Sequence, residues 1–252
     1  MPVFVLSQEL GFPPPRLATP EGLLAVGGDL SEERLILAYR TGIFPWYSAG
    51  EPILWWSPDP RLVLYPQEFH LPRSLARTLR RREFDLSMDC AFAEVIAACG
   101  RLRRESGEGT WIVPEMIEAY GRLHAAGVAH SVEAWCGGEL AGGLYGVSLG
   151  AAFFGESMFS RRPDASKAAL AALVCHIRSL GLHWIDCQVT TGHLQRMGAR
   201  EIPRERYLHE LHKAMRTPTR PGRWSWVAPP DFPGQGGRRR PALKAAFAGR
   251  PG

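Results

Sequence analysis

GESMFS at residues 155–160 and IDCQ at residues 185–188 are the two stretches that decide the fold of this chain. Both have the β-branched or aromatic composition of short buried strands, yet they carry Glu156, Asp186 and Gln188 where a structural strand would carry apolar groups. Between them, apolar residues recur at helical spacing, and a helix that links two neighbouring strands favours parallel pairing. The three polar side chains would then face one crevice, where buried charge is costly unless it has a partner or a function.

The residues before this unit predict antiparallel strands in series. An alternating pattern at residues 129–135 is followed by the tight turn Gly137-Gly138, a second strand that ends near residue 149, and a third at residues 151–158. Helical patterns precede these strands at residues 92–104 and 114–125. The predicted fold class is therefore α+β, with a mostly antiparallel sheet.

Composition divides the chain into three parts. Residues 1–60 are rich in aromatic residues and turn formers, and we expect a small N-terminal domain that ends at the hinge Pro58-Asp59-Pro60. Residues 61–216 carry the strands and helices described above and would form the larger, catalytic domain. Residues 217–252 are rich in Pro, Gly and Arg and include Arg238-Arg239-Arg240, so we expect a flexible tail.

The overall composition indicates a cytoplasmic protein without a disulfide framework. The chain has 252 residues, a formal net charge of +5 and five cysteines, of which no two are spaced C-x-x-C. The N-terminus has no signal-peptide pattern, and no window approaches the roughly 18 apolar residues of a membrane span. The mild basic excess is compatible with a polyanionic partner and does not by itself indicate one.

Several catalytic motifs are absent from the sequence. We find no G-x-x-x-x-G-K-[ST], no G-x-G-x-x-G and no H-E-x-x-H, so nucleotide, dinucleotide and zinc-protease sites have no support. The stretch at residues 155–159 resembles a nucleophile elbow but lacks its closing glycine, which weakens a serine-hydrolase interpretation.

Asp186 and Gln188 are the strongest candidates for chemistry. Residues i and i+2 of a strand face the same side, so the acid and the amide would point together and could orient an amine and accept its proton. The alternative is structural: Glu156 and Asp186 would be acids satisfied by Arg161, Arg162 or Lys167. Spacing alone leaves both interpretations open.

Aromatic and basic clusters allow two interpretations each. Three tryptophans at residues 46–56 are typical of an aromatic mini-core, or of a surface on which a base stacks. The arginines of residues 73–82 are typical of a solvated helix face, or of a surface that contacts phosphates.

The sequence resembles the leucyl/phenylalanyl-tRNA–protein transferase family in a series of blocks that occur in the family's order. The blocks are LLAVGGDL at residues 23–30, GIFPW at 42–46, WWSP at 55–58, GTWI at 109–112, GESMFS at 155–160, ASK at 165–167 and IDCQ at 185–188. The resemblance covers residues from about 20 to 210, and the number of specific blocks makes a chance match very improbable.

The resemblance implies a function and a fold. Members of this family move Leu or Phe from its aminoacyl-tRNA to an acceptor protein with N-terminal Arg or Lys, which marks the acceptor for degradation through the N-degron pathway. The ester is already activated, so no cofactor, ATP or metal is expected. The larger domain would be similar to the acyl-CoA N-acyltransferase (GNAT) fold, and we expect a monomer.

The resemblance also assigns residues. Asp186 and Gln188 match positions for amine orientation and proton relay, with Asp186 favoured as the final acceptor; Glu156 matches a substrate contact. Trp46 and Trp111 match positions that hold the terminal adenosine. We expect the remaining candidates to line an apolar side-chain pocket (Leu144, Phe153, Met158, Leu170 and Ile185) or to contact the tRNA backbone (Arg80, Arg81 and Arg82).

Two departures from the family pattern leave fine specificity open. Thr191 stands where the family often has Asn, and the loop at residues 195–199 reads QRMGA where SLGA is common. Two rival functions are an N-acyltransferase that uses acyl-CoA and a non-enzymatic RNA-binding module. The first rival would require a glycine-rich turn at residues 159–164, which contain no glycine.

Overall fold

The computed structural model describes residues 3–105 and 110–234. The described strands are β1 (Phe4–Leu6), β2 (Leu23–Gly27), β3 (Phe44–Pro45), β4 (Leu54–Trp56), β5 (Arg61–Leu64), β6 (Asp85–Met88), β7 (Ala129–Cys136), β8 (Glu139–Leu149), β9 (Ala152–Ser160), β10 (Trp184–Gln188) and β11 (Arg200–Ile202). The helices are α1 (Glu32–Thr41), α2 (Arg73–Arg80), α3 (Phe92–Glu105), α4 (Pro114–Ala125), α5 (Ala165–Leu180), α6 (Gly192–Gln195) and α7 (Arg204–Ala214). No helix of the described ranges is both long and apolar enough to cross a membrane.

The N-terminal residues form a small sheet with the strand order β1-β2-β4-β3. Helix α1 begins at Glu32 because Ser31 caps it: the Ser31 hydroxyl accepts a hydrogen bond from the backbone N–H of Arg34. The helix ends at Gly42, whose φ of 83° is left-handed and suits glycine. These two ends fix the direction of α1 and place Tyr39 in the core that the small sheet shares with the larger one.

A seven-stranded sheet, ordered β11-β5-β10-β9-β8-β7-β6, makes up the larger part of the structure. Within it, β9 and β10 pair in parallel and the other neighbouring strands pair antiparallel. The predicted α+β class and mostly antiparallel sheet are therefore confirmed, as is the parallel pair joined by a helix. This topology brings the two stretches that carry Glu156 and Gln188 side by side.

The large sheet has a hydrophobic layer on each face. Helices α1, α3, α4 and α7 cover one face, where Phe154 and Trp184 lie in the core. Helices α2 and α5 cover the other face, which contains Phe153 and Ile185. Adjacent strand residues thus alternate between the two layers, as the pleat requires.

The prediction of a flexible tail is wrong for residues 217–234, the part of the tail that the structure describes. Trp224 and Phe232 are buried and belong to the same core as α5. The Thr219 hydroxyl accepts a hydrogen bond from the Gly150 amide, and the Gly222 amide donates to the Gly127 carbonyl. Buried aromatic side chains and backbone pairing hold this segment in place despite its Pro- and Gly-rich composition. The run Arg238-Arg239-Arg240 lies outside the described residues.

Candidate active site

An apolar cavity of about 370 Å³ lies beside the C-terminal halves of β9 and β10. This volume is in the range of small-molecule sites, about 300–1,000 Å³. Nine residues singled out from the sequence line it: Trp46, Trp111, Leu144, Phe153, Glu156, Met158, Leu170, Ile185 and Gln188. Asp186 does not line it. The cavity therefore combines aliphatic and aromatic walls with one acid and one amide.

Glu156 is the one carboxylic acid of the cavity wall and is almost fully buried. Its Oε2 accepts a hydrogen bond of 2.9 Å from the Tyr120 hydroxyl, and its Oε1 accepts one of 2.7 Å from Gln188 Nε2. The Tyr39 hydroxyl in turn shares a short hydrogen bond with that of Tyr120. Burial raises the pKa of Glu156 to about 7, although the hydrogen bonds from Tyr39, Tyr120 and Gln188 favour the charged form. A carboxyl group that titrates near neutral pH in a cavity is typical of a functional site.

Gln188 has an unusual backbone conformation. Its φ is 63°, and the β10–β5 register shifts between Asp186 and Gln188, which is a bulge. The backbone N–H of Gln188 donates to Asp186 Oδ1 over 2.9 Å. Left-handed backbone is disfavoured for a non-glycine residue and persists only where the surroundings hold it. Here the held conformation directs the side-chain amide toward Glu156.

The bulge overturns the expected geometry of Asp186. A regular strand would point Asp186 and Gln188 together, but Asp186 lies fully buried outside the cavity. Its Oδ1 accepts from Arg61 Nε at 2.9 Å, and its Oδ2 accepts from Arg61 Nη2 at 2.6 Å and from the Tyr207 hydroxyl at 2.8 Å. With Gln188 N–H also bound to Oδ1, the carboxylate is fully engaged. The shared crevice predicted for the acid and the amide is therefore wrong.

Arg61 was missed in the sequence analysis and forms the buried ion pair with Asp186. Its guanidinium lies 4.8 Å from the ring centroid of Phe44 and 4.5 Å from that of Tyr207. Burial alone would lower the pKa of Arg61, but the adjacent Asp186 charge raises it above its ordinary value. The available signal in the sequence was a charged residue followed directly by apolar ones. In the structure, all four residues of β5 are buried.

The cations considered as partners of the two acids lie elsewhere. Arg161 Nη1 donates to the Leu140 carbonyl, Arg162 Nη1 donates to Cys136 Sγ, and Lys167 Nζ binds Asp164 at 2.8 Å. Tyr39 and Tyr120, which do contact or support Glu156, were also missed. Both lie on helices and are fully buried, so a tyrosine on the apolar side of α1 and of α4 was the only signal.

Tryptophans form one side of the cavity mouth. The Trp46 side chain is 41% exposed, and its ring centroid lies 5.8 Å from that of Trp56 and 6.3 Å from that of Trp111. Trp56 Nε1 donates to the Trp46 carbonyl over 2.7 Å, which fixes the backbone of Trp46. An exposed indole on a fixed backbone is suited to stacking on a flat ring.

The arginines chosen for the tRNA backbone differ in their surroundings. Arg80 and Arg81 are exposed at the end of α2. Arg82 Nε donates to the Gly234 carbonyl over 2.6 Å, so this guanidinium also holds the C-terminal segment. In the described ranges, no group of three or more His, Cys, Asp and Glu side chains could hold a metal ion.

Comparison with known proteins gives matches over most of the chain. A curated protein of Desulfatibacillum aliphaticivorans named leucyl/phenylalanyl-tRNA–protein transferase is 60% identical over 225 residues, 89% of this chain and 97% of that protein. Proteins with the same name from Syntrophobacter fumaroxidans and Myxococcus xanthus are 62% and 55% identical, covering 82% and 92% of this chain and 89% and 100% of their own lengths.

Solved structures give weaker matches. A conserved protein of unknown function from Bacteroides thetaiotaomicron is 9% identical, covers 77% of this chain and 65% of that chain, and has a TM-score of 0.41, too low for an argument about the fold. The family profiles are more informative. The profile described as leucyl/phenylalanyl-tRNA protein transferase matches residues 63–212, and that of its N-terminal domain matches residues 28–59. The chain belongs to the leucyl/phenylalanyl-tRNA protein transferase family.

Proposed function

We propose that this protein transfers Leu or Phe from aminoacyl-tRNA to the α-amine of an acceptor protein with N-terminal Arg or Lys, forming a peptide bond. The observation that carries the proposal is an apolar cavity whose one acid, Glu156, is hydrogen-bonded to Gln188 and has a pKa near 7. Such a cavity accepts an uncharged side chain, and its acid accepts a proton from an amine.

The donor enters through the aromatic mouth. The terminal adenosine stacks against Trp46 and Trp111, and the Leu or Phe side chain occupies the cavity bounded by Phe153, Leu170 and Ile185. The ester then lies near Glu156 and Gln188. Because the ester is already activated, positioning and proton transfer are the tasks left to the protein.

Glu156 takes the proton in this mechanism. An N-terminal α-amine has a pKa of about 7.7–8.0, so a carboxylate with a pKa near 7 receives its proton at little cost in free energy. The neutral amine attacks the ester carbonyl carbon, the new C–N bond forms, and the C–O bond to the ribose breaks. The second amine proton passes to the departing ribose oxygen. The same carboxylate attracts the cationic acceptor before transfer.

Gln188 and Asp186 have different tasks. Gln188 lines the cavity and orients the Glu156 carboxylate through Nε2, while its carboxamide oxygen is an acceptor for the incoming amine. Asp186 is a positioning residue: it accepts a hydrogen bond from the backbone N–H of Gln188, and Arg61 and Tyr207 donate to its carboxylate. The geometry thus favours Glu156 over Asp186 as the proton acceptor.

We further propose that the larger domain, residues 61–216, follows the GNAT plan and that the small domain ends near residue 60. The support is the parallel β9–β10 pair joined by α5, together with a separate small sheet before β5. Because the proposed substrates are aminoacyl-tRNA and an acceptor protein, we expect the reaction in the cytoplasm and the tagged acceptor in the N-degron pathway. A monomer stays a prediction.

The function is tested with purified protein and separately charged tRNAs. Leucyl-tRNA, phenylalanyl-tRNA and aspartyl-tRNA are each mixed with a peptide that begins with Arg, and the peptide is analysed by mass spectrometry. We expect one added residue from Leu and Phe and none from Asp, whose charge the apolar cavity excludes. The same peptide with an acetylated N-terminus is the control. Addition to the acetylated peptide, or no addition from either apolar donor, would contradict the proposal.

Trp46→Ala raises the KM for leucyl-tRNA by about 5- to 150-fold, because a base–aromatic stack contributes about 1–3 kcal/mol. Trp46→Phe retains a ring and is expected to recover most of this loss. Steady-state kinetics with leucyl-tRNA at fixed acceptor measures both variants. If alanine and phenylalanine behave alike, the ring at this position does not stack on the donor.

Arg80→Glu combined with Arg81→Glu weakens tRNA binding and flattens its dependence on salt. Each phosphate contact contributes about 0.7–0.9 to the slope of log K against log salt concentration, so the double variant lowers the slope by about 1.5. Arg16→Glu combined with Arg178→Glu makes the same charge change at other exposed positions. Filter binding over a salt series compares the slopes of the two double variants. Equal slopes would show that the arginines at the end of α2 are a solvated face that does not contact phosphates.

A further inference from the structure

The C-terminal segment, residues 216–234, packs on the face of the sheet that carries α5. It lies beyond residues 63–212, which the family profile matches. Its anchor is Trp224, whose backbone amide donates to Asp89 Oδ2 over 2.6 Å. Arg223 Nη2 donates to the Asp89 carbonyl over 2.8 Å, so two successive residues of the segment bind one aspartate.

The indole of Trp224 is held on two sides. It stacks on the His130 ring with a centroid distance of 3.9 Å and an interplanar angle of 5°. His130 Nδ1 in turn lies 2.9 Å from Asp89 Oδ2. The His176 ring, from α5, lies 4.6 Å from the indole at 58°. Since the backbone and both ring contacts are fixed, the indole has one position.

The next contact of the indole is with the wall of the cavity. The Trp224 ring centroid lies 5.7 Å from that of Phe153, which is fully buried and lines the cavity. On its other side, the Phe153 ring lies against Gly146: a Cβ built on that glycine would be 2.6 Å from two ring carbons. Phe153 is therefore confined between the backbone of β8 and the indole.

We propose that Trp224 sets the depth of the amino-acid cavity, and so the preference between Leu and Phe, by holding the Phe153 ring in place. The inference rests on the proposed function, because it takes the cavity to be the donor side-chain site. Trp224 does not itself line the cavity and acts through Phe153. Protein interiors are close-packed, so removing the indole gives the Phe153 ring room to retreat and deepens the cavity for the larger donor.

The test is Trp224→Leu, with the ratio of kcat/KM for phenylalanyl-tRNA to that for leucyl-tRNA as the readout. We expect the ratio to rise about 10-fold, the lower end of the discrimination that one methylene gives in an apolar pocket. Both donors are measured on one preparation, so an inactive fraction cancels. Trp226→Leu is the matched control because its ring contacts Phe232, at 5.2 Å. An unchanged ratio in Trp224→Leu would overturn the inference.

A second measurement keeps the inference separate from the transfer reaction. Calorimetry with the methyl esters of phenylalanine and leucine reports the affinity ratio of the cavity without any acceptor. The ratio is expected to shift in the same direction in Trp224→Leu and by a smaller amount in Trp224→Phe, which also serves if the leucine variant does not fold. Wild-type protein that binds the esters but transfers nothing would contradict the proposed function alone, whereas ester affinities that do not change would contradict the role of Trp224.

Discussion

Glu156→Gln lowers kcat/KM for transfer by about 10²- to 10⁴-fold, the range that general base catalysis contributes. The substitution keeps the size of the side chain and an oxygen that accepts from Tyr120, but the amide cannot take a proton from the acceptor amine. In the wild type, burial raises the pKa of Glu156 to about 7, so transfer also falls as pH drops below 7 and the carboxylate becomes protonated. Single-turnover assays with leucyl-tRNA and an N-terminal Arg peptide measure both effects.

Glu156→Asp is the matched variant for this prediction. It retains an acid but withdraws it from Tyr120 and Gln188, so we expect activity between those of the wild type and of Glu156→Gln. Donor binding should be unchanged in both variants, because the apolar wall and the tryptophans are intact. A glutamine variant that transfers at the wild-type rate would show that the proton goes elsewhere.

Arg61→Met lowers the free energy of unfolding by about 3–5 kcal/mol, because it leaves the Asp186 carboxylate buried without its cation. Adding Asp186→Leu removes that charge and is expected to recover most of the stability, since a buried ion pair replaced by apolar residues is often near neutral. Urea denaturation measures the three proteins. A loss below about 1 kcal/mol in Arg61→Met would contradict the buried pair.

Two double variants that both contain Arg61→Met separate an anchoring role of Asp186 from a role as base. Arg61→Met with Asp186→Asn keeps a side-chain oxygen that can accept from the backbone N–H of Gln188, whereas Arg61→Met with Asp186→Leu does not. If Asp186 positions Gln188, the asparagine protein transfers faster than the leucine protein. Equal and very low rates would instead favour Asp186 as the proton acceptor, since neither replacement accepts a proton.

Sequence periodicity was sufficient for the central strands and the connecting helix of the large sheet. Alternation at residues 129–158 and helical spacing at residues 165–180 predicted β7, β8, β9 and α5 in the correct order. These patterns are informative because each face of the sheet is buried, so polar and apolar positions follow the pleat and the helix surface.

The position of Asp186 could not be predicted in this way. Strand alternation assumes a regular backbone, and Gln188 adopts a left-handed conformation that glycine usually provides. That conformation depends on long-range contacts, since Asp186 is held by Arg61 and Tyr207, 125 and 21 residues away. No local pattern in IDCQ contains this information.

The C-terminal segment was misjudged for a different reason. Proline and glycine exclude regular helices and strands, but they do not exclude packing of the aromatic residues between them. Trp224, Trp226 and Phe232 were the signal that this segment has an apolar side, and each packs in the core of α5.

Thr191, a departure from the family pattern, lines the cavity and caps α6 through its hydroxyl.

The central claim is that a buried Glu156, oriented by Gln188, titrates near neutral pH and takes the acceptor proton. The most direct measurement is a carbon-13 NMR titration of the glutamate carboxyl groups, with Glu156→Gln to assign the signal. We expect a Glu156 midpoint near 7, matching the pH at which single-turnover transfer falls to half. A midpoint at the ordinary glutamate value of about 4.3, with transfer still falling near 7, would contradict the claim.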